Sequence, residues 1–541
     1  MLKKIIIYAA VAAFPVLGHA QSKEKAVSNW QNFDLLSQGY FGISTEKAYS
    51  ELLKGKKGQP VIVAVLDGGV DVAHEDLKPV IWVNPKEIPG NGVDDDRNGY
   101  VDDIHGWNFL GSAKGSVQYD NMEVTRLYRK LLPKYGSAVT STPMSEKERK
   151  EFLDFQRITT DYMSKLQMAQ IGSQNYSMLK KYLDEVLGKM GKTNPTLADF
   201  ESYKPENENQ GRAVKIVKSE LKKDPDFAKF SKELNEALEY FDTQLKYHLN
   251  LEFDPRPMVG DNYENSSERH YGNNDVSGPD AEHGTHVAGI IAAVRKNGVG
   301  IDGVAHNVKI MSVRTVPDGD ERDKDVANAI RYAVDNGAKV INMSFGKSYS
   351  WDKAVVDSAV RYAMSRDVLL VHAAGNDGQN NDVEKNFPTK YYTDSTGLNI
   401  GQAPGWIDVG ASGWNNDETL KADFSNYGKK TVDVFAPGVD INSTVPGSKY
   451  EENDGTSMAS PVVAGLAALI RSYYPDLNAL QVKNIIMESV TKANPRVKIS
   501  DGESSKKVSF ADLSITGGVV NAYNALQLAE KVSKGTVQVG K

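Results

Sequence analysis

At 541 residues the chain can bury a large core and form roughly two to four domains. Its 40% hydrophobic and 25% charged content is ordinary for a globular protein, and a net charge of −7 gives no footing for nucleic-acid binding. It contains no cysteine, which excludes disulfides, thiolate metal sites and a cysteine lipid anchor.

The chain opens with Lys3 and Lys4, an apolar run from Ile5 to Leu17, and small residues at Gly18 and Ala20. This pattern predicts a secretory signal peptide over residues 1–20, with a mature chain starting near Gln21. The run is short for a membrane span, and no later stretch approaches ~18 apolar residues. Export to the periplasm or the extracellular space is expected, with no membrane span after cleavage.

Residues 21–58 are polar and mixed, with one short helix predicted over Thr45–Leu53. Val61 to Leu66 then reads as a fully buried strand, with Asp67 at its carboxyl end and Gly68-Gly69 ending it. Open α/β sheets bind ligands at such strand ends, although an aspartate there also forms turns. The loop Gly90–His105 holds Asp94-x-Asp96-x-Asn98-Gly99, the first half of an EF-hand calcium loop. The spacing predicts calcium on Asp94, Asp96, Asn98, the Tyr100 carbonyl and Asp102. His105 stands where the loop's bidentate Glu would be, and a solvated acidic turn is the plainer alternative.

Residues from about 120 to 250 are rich in Lys, Glu and Leu with helical periodicity. Ser145-x-x-Glu148 forms a capping box, and Asp224 with Pro225 predicts another helix start. Phe152, Phe155, Tyr162 and Leu166 make one apolar stripe; Leu179, Tyr182, Leu183, Val186 and Leu187 make a second. Phe227, Phe230, Leu234, Leu238, Phe241 and Leu245 make a third. Residues 251–282 read as a loop. His283-Gly284-Thr285-His286 opens a small-residue helix with His283 at its mouth and His286 as the structural alternative.

Strands and helices then alternate: a strand over Val308–Val313, a helix over Asp325–Asn336, a strand over Val340–Ser344, a helix over Trp351–Met364 and a strand over Val368–Ala374. Short strands at Ile407–Ala411 and Val432–Phe435 and helices at Asn478–Val490 and Val519–Ala529 follow. Repeated βαβ units predict a parallel sheet with helices on both faces. Asn376 falls just past one strand end. Gly455-Thr456-Ser457-Met458-Ala459-Ser460-Pro461 delivers Ser457 to the start of a helix buried on every side, with Pro461 expected inside the first turn. A helix start favours a developing oxyanion there.

Four blocks carry a resemblance: Val65-Leu66-Asp67-Gly68-Gly69-Val70-Asp71, His283-Gly284-Thr285-His286-Val287-Ala288-Gly289, Ala373-Ala374-Gly375-Asn376-Asp377-Gly378, and Gly455 to Pro461. They resemble the signature blocks of the subtilisin-like serine proteases (subtilases). The resemblance implies a three-layer α/β fold, a central parallel sheet flanked by helices, here with a large all-α insertion. It divides the chain into a signal peptide (1–20), a short segment (21–58), a first catalytic part (59–118), a helical insertion (119–255), a second catalytic part (256–532) and a tail (533–541).

The implied activity is a secreted serine endopeptidase acting on protein or peptide substrates. Ser457 is the nucleophile, His283 the base, Asp67 the orienting acid and Asn376 the oxyanion donor. Ser344, Phe345 and Gly346 would pair with substrate backbone, and Ala373, Ala374 and Gly375 would wall the pocket. No organic cofactor and no nucleic acid is implied.

Three departures stand out. Gly68 follows Asp67 where most relatives carry Ser or Thr. Asp67 and His283 are 216 positions apart, so the helical block enters near the active-site rim. Residues 21–58 are too few for a folded inhibitory pro-domain. A helical cap over the cleft follows as an expectation, beside a partner-docking or merely decorative domain. A catalytically silent fold used for binding and a gated oligopeptidase are the alternative functions.

Overall fold

The computed structural model describes residues 26–139, 142–500 and 505–540. The predicted signal peptide, 1–20, lies outside them. Among the described residues no helix is long and apolar enough to cross a membrane. The chain separates into two compact units, Val124–Asp254 and the remainder, which runs to Glu123 and resumes at Pro255.

The larger unit is built on one sheet with nine strands among the described residues: β1 (Val61–Asp67), β2 (Gly106–Asn108), β3 (Val308–Arg314), β4 (Val340–Met343), β5 (Leu369–Ala373), β6 (Trp406–Ser412), β7 (Val434–Pro437), β8 (Thr491–Lys492) and β9 (Gly518–Val519). Their order is β8-β9-β7-β6-β5-β4-β1-β3-β2, parallel throughout except for the β8–β9 pair. The chain leaves β3 on one side of β1 and re-enters as β4 on the other. That reversal makes a crevice at the carboxyl ends of the strands.

Helices cover both faces: α1 (Glu282–Ala292), α2 (Asp323–Asp335), α3 (Lys353–Ser365), α4 (Thr456–Tyr473), α5 (Ala479–Glu488) and α6 (Ala522–Ser533). Alternate residues of β1 point to opposite faces. Val61, Val63 and Val65 join the core containing α1 and α4 residues such as Ile290, Val463 and Leu466. Ala64 and Leu66 join the core of α2 and α3, with Ile330 and Val360. The three-layer α/β arrangement is therefore present. The predicted helix over Val519–Ala529 divides instead: Gly518–Val519 pairs with β7 and β8, and the helix starts at Ala522, capped by the Asn521 side chain.

The smaller unit is helical. Glu146–Met190 spans 45 residues, opens on the Ser145/Glu148 capping box and ends at left-handed Gly191. Leu183, Val186, Phe200, Val214, Val217, Leu221, Phe227 and Leu234 form a shared core across four of its helices. The last of these, Phe227–Thr243, is capped by Asp226, which accepts the Lys229 amide, not by Asp224 as the sequence predicts. Pro225 therefore precedes the cap and stays outside the helix.

Candidate active site

β1 and β4 pair in parallel with Leu66 opposite Met343, so Asp67 and Ser344 are neighbours at adjacent strand ends. Asp67 is almost fully buried, and its Oδ1 accepts from the Gly68 amide at 2.7 Å and faces His283 Nδ1 at 2.8 Å. Its Oδ2 is buried without a partner. This close approach depends on Gly284: a Cβ there would lie 2.1 Å from Gly69 O and 3.0 Å from Asp67 Cβ. His283 sits in the first turn of α1 with its side chain 47% exposed. Burial alone pulls its pKa down, but the charge and hydrogen bond of Asp67 outweigh it, and the imidazole is held above its usual 6.5.

His286, one turn further along α1, is fully buried with Nε2 on Glu451 O at 3.0 Å. Desolvation pushes its pKa down to about 3, so it is a neutral structural residue.

Ser457 lies in the first turn of α4, partly exposed. Its Oγ donates to Ser344 O at 3.0 Å, and Ser344 Oγ donates back to Ser457 O at 2.9 Å. The reciprocal pair has a covalent cause. Pro461 is the sixth residue of α4, past the first turn where the sequence expects it. Having no N–H, it cannot serve the carbonyl four residues earlier, which is that of Ser457. The Ser344 hydroxyl takes that carbonyl instead. The orphan donors of the first turn are divided in the same way. The Thr456 amide donates to Asn376 Oδ1 at 2.9 Å and the Thr456 hydroxyl to the same oxygen at 3.0 Å. The Ser457 amide has no protein acceptor among the described residues.

Two donors from Thr456 fix which end of Asn376 is which. With Oδ1 turned to the helix start, Nδ2 is the end left for another acceptor, on a residue that is exposed. Ala373 ends β5, and Ala374 and Gly375 follow it. Ala374 O is held by Asn381 and Asn426 Nδ2, and Ala373 O by Asn386 Nδ2. Phe345 and Gly346 continue from Ser344 toward solvent. Thr456 and the Ser344 hydroxyl are site residues that the sequence reading missed. Pro461 was the available signal, because a proline past the first turn demands an outside donor.

The acidic loop is sorted differently from its sequence spacing. Asp94 accepts the Asn98 amide at 3.0 Å and the Gly99 amide at 2.8 Å. Asp102, in a left-handed conformation (φ 53°), turns back to the Gly90 and Gly92 amides. Asn98 Oδ1 accepts the Tyr100 amide, and the Tyr100 ring packs against Trp107 and Tyr332. Gly99 has φ 95°, and a Cβ on it would strike the His270 ring. Of the five expected calcium ligands, only Asp96 enters a compact carboxylate group. Its companions are Glu87 and Asp103, each offering an oxygen within 4.8 Å of the others. Asp94 Oδ1 and Asp96 Oδ1 both accept the Asn98 amide at 3.0 Å, so these two expected ligands lie side by side.

The Subtilase family (Peptidase_S8) matches residues 58–506. A thermophilic serine proteinase of Bacillus sp. (strain AK1) is 39% identical over 245 residues, covering 45% of this chain and 52% of that protein. Subtilisin BL of Lederbergia lenta is 37% identical over 210 residues, covering 39% of this chain and 70% of that one. A solved protease structure from Pseudoalteromonas arctica is 29% identical, covers 48% of this chain and 79% of its own, and has a TM-score of 0.38, which adds no weight. The chain thus spans about half the length of the first relative. The family match takes in both parts of the sheet-bearing unit and most of the sequence, and the chain belongs to the subtilase family.

Proposed function

We propose that the chain is a serine endopeptidase that cleaves protein or peptide substrates through an acyl-enzyme on Ser457. The observation that carries this reading is the hydrogen bond from His283 Nδ1 to buried Asp67, which leaves Nε2 as the accepting nitrogen of the neutral ring. In the proposed reaction Ser457 Oγ leaves the Ser344 carbonyl and attacks the scissile carbonyl carbon. His283 Nε2 takes its proton and returns it to the departing amine. Asp67 holds the tautomer and stabilises the imidazolium. The Ser457 amide and Asn376 Nδ2 receive the oxyanion. Water then repeats the sequence in reverse and frees Ser457. Ser344, Phe345 and Gly346 align the substrate strand, and Ala373, Ala374 and Gly375 border its side-chain pocket.

The leader at residues 1–20 supports export to the periplasm or the extracellular space, with removal near Gln21. A fluorophosphonate probe tests the chemistry. We expect covalent labelling of the protein at neutral pH, abolished in Ser457→Ala. A folded protein that stays unlabelled would indicate a silent fold used for binding.

A further inference from the structure

We propose that Lys347, paired with Glu123 and Asp323, fills the place of the fourth substrate side chain upstream of the scissile bond, so that the enzyme reads three upstream residues and is indifferent to the fourth. The inference rests on the serine-protease reading, with Ser344, Phe345 and Gly346 aligning the substrate.

Alternate residues of an extended strand turn their backbone groups to opposite edges. The Lys347 amide donates to Phe387 O at 3.0 Å, and the Lys347 carbonyl accepts the Phe387 amide at 2.8 Å. Both groups of Lys347 therefore serve one edge. Those of Gly346, an exposed residue, face the other. Ser344 O lies two residues before Gly346 and accepts from Ser457 Oγ at 3.0 Å, so this second edge is the one beside the nucleophile. A substrate laid antiparallel along it sets the residue to be cleaved opposite Ser344. The third residue upstream then falls opposite Gly346, and the fourth opposite Lys347.

Residues directly opposite one another share a face of the strand pair. A Cβ on Gly346 would lie 2.3 Å from Asn386 Oδ1, and Asn386 Nδ2 holds Ala373 O at 3.0 Å. The first and third substrate side chains point to that face, toward Ala373 to Gly375. The second and fourth point to the opposite face, which carries the side chains of Phe345 and Lys347.

That face is occupied at the fourth position. The Lys347 side chain is 1% exposed. Its ammonium meets Glu123 Oε2 at 2.7 Å, Asp323 Oδ1 at 2.8 Å and Glu321 O at 2.6 Å, so each of its three protons has an acceptor. Glu123 is fully buried and Asp323 nearly so. Asp323 Oδ2 in turn accepts the Ser350 hydroxyl at 2.6 Å and the Asp352 amide at 2.7 Å. An apolar side chain entering here would part a buried ion pair and leave a charge without its partner, which is strongly unfavourable. Glu123 is the last residue before the helical unit begins at Val124, and its amide is fixed by Asp320 Oδ2 at 2.7 Å. The leading stem of the insertion thus supplies the carboxylate that keeps Lys347 in place.

The test uses the full chain and chromogenic peptides that differ in length and in the fourth upstream residue. In the parent, kcat/KM should climb until three upstream residues are present, and Phe in place of Ala at the fourth should change it by less than about threefold, whereas a pocket that buried the ring would favour Phe by about tenfold or more. A preference for Phe above that bound overturns the proposal and leaves the protease reading standing. The double variant Lys347→Ala, Glu123→Ala removes both charges and opens the face, so its Phe-to-Ala ratio should rise about tenfold. A folded double variant with the parent's ratio shows that Lys347 does not set it, and overturns the proposal. Should the double variant fail to fold, the parent's ratio decides. If no peptide is cleaved and the fluorophosphonate probe does not label Ser457, the protease reading falls and this proposal with it.

Discussion

The rim of the sheet and the loop at residues 84–105 both carry recognisable patterns, yet the structure treats them differently. At the rim, Asp67, Ser344 and Ala373 stand at the ends of paired strands, and His283 and Ser457 stand in first helical turns. A strand end or helix start fixes a side chain's direction to within a rotamer. In the loop, left-handed residues at Arg97, Gly99 and Asp102 redirect the chain every few positions. Neighbours Asp102 and Asp103 consequently face opposite ways, one to backbone amides and one to Tyr332. A side chain's direction follows from chain order where the backbone is regular, and less directly where turn residues intervene.

If the rim is as rigid as this comparison holds, changes to its reacting groups should act on chemistry, and changes to the bonds that hold them should cost stability. The largest effect after loss of Ser457 is expected from Asp67→Asn, which should lower kcat about 10⁴-fold by releasing the imidazole tautomer. It should also move the pH profile. In the proposed mechanism the neutral imidazole is the active form, and Asp67 holds the His283 pKa above its usual 6.5, so the acid limb of the parent should lie above that value. Removing the carboxylate takes away the main raising influences and leaves burial opposed by the weaker pull of Asp280, and the limb should shift to lower pH. A residual rate with an unshifted limb would mean that another group is the base.

Asn376→Ala should come next. It removes one oxyanion donor and should lower kcat by about 10²–10³ with KM nearly unchanged, by the measure known for subtilisin. Steady-state kinetics on a chromogenic peptide separates the two constants. A rise in KM alone would make Asn376 a binding residue and the Thr456 clamp incidental.

Ser344→Ala should have the smallest effect of the three. The Ser457 carbonyl loses its donor, and Pro461 cannot replace it, so folding stability should fall by about 1–3 kcal/mol. Denaturant unfolding measures this. An unchanged midpoint would show that the carbonyl finds water or another donor, and that the rim adapts as the loop does.

Much of the fold was legible because its signals are local. Val61 to Leu66 is apolar without interruption, as a strand covered on both faces must be. The small residues of α4 announce a helix buried all round, and the structure buries nearly all of it. Val519 was less legible, because two apolar residues before a helix read equally as its first turn or as an edge strand. Asp226 stands in place of Asp224 as the cap for a similar reason: both are good cap residues, and spacing does not choose between them.

By itself, then, the sequence determined the alternation of strands and helices, the family, and the placing of an acid, an imidazole, an amide and a hydroxyl at element ends. Hydrophobic periodicity and end signals act over a few residues, so they survive in one dimension. Only the tertiary structure decided that Ser344 serves the carbonyl Pro461 cannot, that Thr456 holds Asn376 Oδ1, and that Glu87 and Asp103 join Asp96. Each of those is a contact between segments that chain order leaves unrelated, and packing alone brings them within hydrogen-bonding or ligand distance.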